Sequence, residues 1–222
     1  MLRQLAERAV QWGDEFLAFR HYPEEKELGQ LLPELGLAPE LTRVTRATTA
    51  LHPVTVPVRP ASSRDRAFMG RLHVEFSPFY RSSNRKGVDP DAMEVLSHYL
   101  SLDLQRYLGW VDEQRQGYVL LQRDFPLDLL ERKGVYLYDI AVDPNSWGRG
   151  LAVSLHEASM RGARESGYQT VVGDIAFENE RALWVATEKL GYQGVWRCQG
   201  RRGQRSRCGT LTRGRHGRKD RR

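Results

Sequence analysis

Cysteine is scarce: Cys198 and Cys208 are the two in 222 residues. They form no CxxC pair and have no histidine cluster nearby, so a zinc site is not expected and both should be free thiols. Long apolar runs are missing too. Nothing approaches the roughly 18 residues a membrane span requires, and the opening "MLRQLAERAVQWGDEF" is a charged amphipathic pattern rather than a signal peptide. A soluble, cytoplasmic protein is the expectation. His21, His52, His73, His98, His156 and His216 show neither metal-ligand spacing nor a nucleophile partner. No G-x-S-x-G elbow occurs either, so metal and serine-hydrolase chemistry are set aside. Acids are nearly absent from one end. Residues 197–222 carry 11 of the 34 Lys and Arg but one acid of 28, Asp220, which gives this segment +10 and leaves 23 bases against 27 acids, −4, elsewhere. The overall +6 therefore belongs to a basic tail. Such a tail is expected to be disordered, with weak, salt-dependent polyanion or nucleic-acid contacts.

What is present suits one globular domain with appendages, since 40% of the residues are hydrophobic. Leu2, Leu5, Ala6, Ala9, Val10, Phe16 and Leu17 recur near helical spacing, so residues 1 to about 22 read as a helix. Three prolines and two glycines break up residues 23–52, and residues 1–52 together read as a helical N-terminal extension and linker. From residue 53 the pattern changes. "VTVPVRPA" alternates like a strand, Ser62 or Ser63 can cap the helix "SRDRAFMGRLHVEF", and "DPDAMEVLSHYLSL" begins a second helix. "QRYLGWV" and "GYVLLQRDF" flank the polar "DEQRQ" as an antiparallel hairpin. The strand "VYLYDIAV", a helix to about Glu165, the strand "YQTVVGDIAF", the helix "NERALWVATEKL" and the strand "YQGVWRCQ" complete a body over residues 53–196. Hairpins early and strand–helix units late argue for mixed α/β, with a mostly antiparallel central sheet flanked by helices.

The stretch "VDPNSWGRGLA" runs off an apolar strand, turns at a proline and sets Gly148 and Gly150 around Arg149 where a helix begins. Glycine lets the main chain approach a ligand closely and adopt unusual dihedral angles. The first helical turn adds unpaired N–H groups and the positive end of a dipole, a combination suited to a pyrophosphate. Together with the strand before it, "YDIAVDPNSWGRGLA" resembles the acetyl-coenzyme A loop of the GNAT superfamily of N-acetyltransferases. The family pattern falls on Trp147, Gly148, Arg149, Gly150, Leu151 and Ala152, with Trp147 where Gln or Arg is usual. "NERALWVATEKLGY" resembles a second family segment through Asn179, Ala182, Leu190, Gly191 and Tyr192, with one residue more than usual before Gly191. The resemblance implies acetyl-CoA as co-substrate, bound by Trp147 to Ala152, by the main chain of Ile140, Ala141 and Val142, and by Asn179. It implies acetyl transfer to a primary amine of a small molecule or a protein, in a monomer or homodimer. The rival readings are a GNAT-fold binder without turnover and polyanion binding through the tail.

Acetylating an amine needs the neutral nucleophile, and freeing it from an ammonium of pKa ~10.4 at about pH 7 costs on the order of 4 to 5 kcal/mol. A carboxylate near the thioester is therefore sought. Asp174 lies inside the apolar strand "TVVGDIAF", five residues before Asn179, where some N-terminal acetyltransferases of the family carry a basic Glu. It is either that base or the partner of a neighbouring arginine or backbone amide. Polyamine-type relatives place a Glu-Asp pair where this chain has Tyr138 and Asp139. Asp139 serves as base or orders the loop, and Tyr138 lines the acceptor channel. The tyrosine with which many relatives protonate the leaving thiolate falls on Ala186, with Trp184 and Thr187 nearby. Phe76, Phe79, Tyr80 and Tyr99 would lie between the first two helices and the hairpin, in core or pocket.

Overall fold

The computed structural model describes residues 16–21, 26–34, 38–49, 51–80, 92–125, 133–176 and 179–202. Its strands are β1 (Phe16–His21), β2 (Ala38–Ala47), β3 (Val58–Pro60), β4 (Tyr107–Asp112), β5 (Gly117–Gln122), β6 (Gly134–Val142), β7 (Thr170–Ala176) and β8 (Gln193–Arg202). They form one sheet in the order β1-β8-β2-β7-β6-β5-β4-β3. Every neighbouring pair is antiparallel except β6 and β7. The helices are α1 (Lys26–Glu34), α2 (Arg66–Tyr80), α3 (Ala92–Ser101), α4 (Leu151–Glu165) and α5 (Glu180–Trp184), the last continued by a π turn over Val185–Lys189. The expected mixed architecture, a mostly antiparallel sheet flanked by helices, is the one found.

Strand β5 explains why the sheet has two cores. Tyr118, Val119, Leu120 and Leu121 are all fully buried, so successive side chains, which point to opposite faces, each need a cover. Val119 and Leu121 share a core with Leu151, Leu155 and Met160 of α4 and with Leu190, just past the π turn that follows α5. Tyr118 and Leu120 meet α2 and α3 through Phe68, Met69, Leu72 and Tyr99. Burying one such side chain contributes about 1.5–3 kcal/mol, so the two apolar layers hold the sheet between its helices.

The N-terminal section departs from expectation. Residues 16–21 and 38–47 are strands, not parts of a helical extension, while residues 1–15 lie outside the described residues. Strand β2 is inserted between β7 and β8 and pairs with both. Its apolar and β-branched positions, Leu41, Thr42, Val44 and Thr45, sit among charges that helical periodicity cannot use; Arg43 pairs instead with Asp174 across the sheet and Arg46 with Glu157 of α4. Residues 51–56 then cross α4, whose Ser154 Oγ accepts from the amides of Thr55 and Val56 at 3.1 and 3.0 Å. The boundary at residue 53 therefore divides a single sheet. At the other end, β8 carries residues 197–202 of the supposed tail into the sheet beside β1 and β2, and residues 203–222 lie outside the described residues.

Candidate active site

Strands β6 and β7 pair only from Gly134 to Tyr136 against Thr170 to Val172. Beyond these pairs the two diverge, β6 continuing along β5 and β7 along β2, so a wedge opens between Leu137–Val142 and Gly173–Ala176. Within β6 the ladder slips. Leu121 pairs with Leu137 and Leu120 with Asp139, which leaves Tyr138 as the extra residue of a β-bulge. A bulge of this kind bends its strand and re-aims side chains, and here it stands at the wall of the wedge.

The glycine loop closes the end of that wedge. Gly148 and Gly150 have φ of +78° and +76°, the left-handed region that only glycine enters without strain. Space is not the constraint. A Cβ would meet nothing within 4 Å at Gly148 and only Thr55 Oγ1, at 3.6 Å, at Gly150. Gly150 caps α4, and the first backbone bond of the helix runs from Ser154 N–H to Gly150 O at 2.9 Å. Among the described residues no protein acceptor takes the N–H groups of Gly148, Arg149, Gly150, Leu151 or Ala152. Four to five donors at a positive helix end match a diphosphate, and Arg149 is exposed beside them.

Trp147 fills a structural role in place of the usual Gln or Arg. Its indole N–H donates to Val142 O at 2.8 Å, and its ring packs against both cores. The Arg181 guanidinium lies 3.9 Å above it. The carbonyl of Val142 is thus engaged within the protein, and Ala141 and Val142 are buried and paired with Tyr118 and Gly117. Asn179 accepts from Ala182 N–H at 3.0 Å and so caps α5. The extra residue before Gly191 appears as the π turn, with Leu190 N–H reaching back five residues to Val185 O at 3.0 Å. Ala186 is buried in the core, and Thr187 Oγ1 donates back to Leu183 O at 3.0 Å.

The carboxylates occupy different surroundings. Asp174 stands directly opposite Arg43 of β2, which grips both its oxygens: Nε to Oδ1 at 2.8 Å and the terminal nitrogen to Oδ2 at 2.9 Å. Tyr136 hydroxyl adds a third donor at 3.3 Å. Of the two alternatives for Asp174, the arginine partner is present in the fold. Asp139 is buried on the α2–α3 face and accepts from the hydroxyls of Tyr99 and Tyr118 and from His73 Nδ1, the last at 2.9 Å. Burial alone would raise its pKa, but the His73 hydrogen bond and charge and the two phenols hold the carboxyl below its usual range. Burial, then the charge of Asp139, drives the Tyr99 hydroxyl far up, so it remains a donor. Tyr138 is pushed up to about 12, chiefly by burial, and its hydroxyl meets the Nε2 of exposed His98 at 2.8 Å.

His73, Tyr118 and Arg43, to which sequence reading gave no role, are the residues that engage these two carboxylates together with Tyr99. His73 has a carboxylate partner after all, supplied from a strand 66 residues away by the α2–β6 contact. His156 likewise is held in a buried cluster, with Arg46 at 3.3 Å and Tyr192 at 2.7 Å. Of the aromatics considered for core or pocket, Tyr99 is core and network at once, while Phe76, Phe79 and Tyr80 complete the backbone of α2.

This arrangement, a splayed and bulged sheet ending in a glycine-bordered helix start, is the fold that the resemblance to the GNAT superfamily implies. Residues 71–192, a little over half of the chain, match the Acetyltransferase (GNAT) family, and the chain belongs to that family. A GCN5-related N-acetyltransferase from Sphaerobacter thermophilus superposes with a TM-score of 0.58 at 15% identity, over 89% of this chain and 68% of that one. A conserved protein of unknown function from Staphylococcus epidermidis gives 0.55 at 18% identity, over 91% and 78%. At these identities the likeness is one of fold. A search of curated proteins returned no match. No helix among the described residues is long and apolar enough to cross a membrane.

Proposed function

We propose that the protein is an acetyl-CoA-dependent N-acetyltransferase acting on a primary amine. The observation that carries this reading is the row of unclaimed amides from Gly148 to Ala152 at the mouth of the β6–β7 wedge. Those amides and Arg149 would hold the diphosphate, and the wedge edge of β6 from Leu137 to Ile140 would run beside the pantetheine arm. Acetyl-CoA supplies an acetyl group already activated as a thioester. The chain's own task is to orient an amine against it and to remove a proton, a cost of about 4–5 kcal/mol without help. Tyr138, on the bulge, lines the acceptor approach with His98 and with Tyr107, whose ring centre lies 5.2 Å away. Asp139 supports a proton acceptor from below, whereas Asp174, held by Arg43, braces the far wall. Asn179 orients the start of α5 beside the cofactor.

Titrating acetyl-CoA into the wild type should raise its thermal midpoint. Saturation at 100 times Kd is worth about 2.7 kcal/mol, or roughly 5–10 °C in a chain of this size. Gly150→Glu should abolish the rise, because the left-handed φ is strained for glutamate and its charge opposes the diphosphate. No rise in the wild type would remove the cofactor assignment. A silent CoA binder is the second reading, favoured by the absence of a hydroxyl at Ala186 and the engagement of Thr187 by its own helix. Release of free thiol in the presence of spermidine, 2-phenylethylamine, kanamycin or a Met-initiated tetrapeptide separates the two.

A further inference from the structure

The cluster around Asp139 has a chemical direction. Three donors from three elements converge on one carboxylate: His73 from α2, Tyr99 from α3 and Tyr118 from β5. The two phenols are fully buried and hold the carboxylate from within, while the side chain of His73 is about a quarter exposed and stands on the outer side of the cluster. Tyr99 hydroxyl also lies 3.0 Å from His73 Nδ1, and the two rings pack at 5.1 Å, so the imidazole is fixed in both position and tilt. An ionised carboxylate can only accept, so His73 must present a proton at Nδ1, and in the neutral ring the basic nitrogen is then Nε2. The carboxylate sits one residue past the bulge that marks the wall of the wedge. Asp139 itself is buried beneath the ring and cannot meet an acceptor amine except through it.

We infer that His73 is the general base of the acetyl transfer, with Asp139, Tyr99 and Tyr118 as positioning residues that fix its tautomer. The inference rests on the N-acetyltransferase reading and deepens it. His73 Nε2 takes one proton from the acceptor ammonium. The neutral nitrogen then forms the C–N bond to the thioester carbonyl, and collapse breaks the C–S bond. The nitrogen gives up its second proton as the departing thiolate gains one, and His73 returns its proton to solvent. The balance is one amide, one free thiol and one proton released. Among the groups that face His73 are Asp139, Tyr99 and, behind it on α3, His98, whose ring centre is 5.7 Å from that of Tyr99.

The test uses the full chain with acetyl-CoA and the four amines named above, following thiol release. His73→Gln should lower kcat by ~10² to ~10⁴, with the acetyl-CoA-induced rise in midpoint kept. Asp139→Asn should lower kcat without changing the KM for acetyl-CoA. His73→Ala should recover about tenfold in added imidazole, a recovery that only a folded chain with a vacated base position can give. Wild-type kcat in His73→Gln, or a loss in His73→Ala that imidazole does not relieve, overturns the assignment. If the wild type itself releases no thiol with any of the amines, the N-acetyltransferase reading has failed and the base falls with it.

Discussion

Replacing Arg46 by methionine tests whether the N-terminal strand β2 is part of the core or an appendage to it. Arg46 projects from β2 onto α4, where its guanidinium donates to Glu157 Oε1 at 2.6 Å. Both side chains are buried, at 4% and 0% exposure. The other carboxylate oxygen of Glu157 accepts from the His52 amide at 2.8 Å. Burial would raise the Glu157 carboxyl, yet the bonds from His156, Arg46 and the His52 amide outweigh it and bring the pKa from 4.5 to about 2. A depression of that size corresponds to about 3 kcal/mol. Because the folded value lies below the unfolded one, this stabilisation is complete above about pH 5 and is lost as pH falls toward 2. Removing one partner of a buried pair costs a similar amount, about 3–5 kcal/mol. Arg46→Met should therefore lose about 3 kcal/mol at about pH 7 in urea denaturation, or roughly 6–12 °C in thermal midpoint. The gap to wild type should narrow as the buffer is taken to about pH 3 and close toward about pH 2, where the folded wild type takes up the proton as well. A loss below about 1 kcal/mol, or one of the same size at both pH values, would refute the reasoning.

Three further outcomes follow from the same contacts. Gly162→Ala drives a Cβ to within 2.2 Å of Trp110 Cζ2, and it should cost about 1–3 kcal/mol in urea denaturation, since a tryptophan ring between helix and sheet has little room to shift. Asp174→Asn should cost about 2 kcal/mol by losing a charge-assisted pair, with kcat within about tenfold of wild type; a fall of ~10² or more in kcat at unchanged stability would make Asp174 the base instead. Deletion of residues 1–52 removes β1 and β2 and leaves β7 and β8 without their shared partner, so far-UV circular dichroism and gel filtration should report a chain that does not form the native sheet.

Much of the body was legible because local signals agreed with the fold. The hairpin of β4 and β5, the β6–α4–β7 unit and the glycine loop each follow from short-range pattern and turn chemistry. The chain absorbs the surplus residue in "NERALWVATEKLGY" as a π turn. The N-terminal section was misread because its strands draw their register from partners far along the chain, as in Arg43 against Asp174 and Phe16 against Arg202. No window of sequence contains both members of such a pair. For the same reason His73 went unassigned. Its spacing to other histidines carries nothing, and its meaning comes from the α2 face that lies over Asp139.

The two carboxylates near the wedge illustrate how surroundings divide one residue type into two jobs. Asp174 is bound on both oxygens by a guanidinium, a group that stays protonated throughout the range in which proteins function and so can neither pass on a proton nor release its partner cheaply. Asp139 is bound instead by an imidazole and two phenols, of which the imidazole alone carries a second ring nitrogen able to accept a proton. A proton arriving at the Asp174 side meets a closed ion pair. One arriving at His73 meets a ring whose positive charge the buried carboxylate is already placed to stabilise. The strand inserted at β2 thus does more than complete the sheet: it delivers Arg43 to Asp174, and in the proposed reaction proton transfer then falls to the α2–β6 side of the wedge.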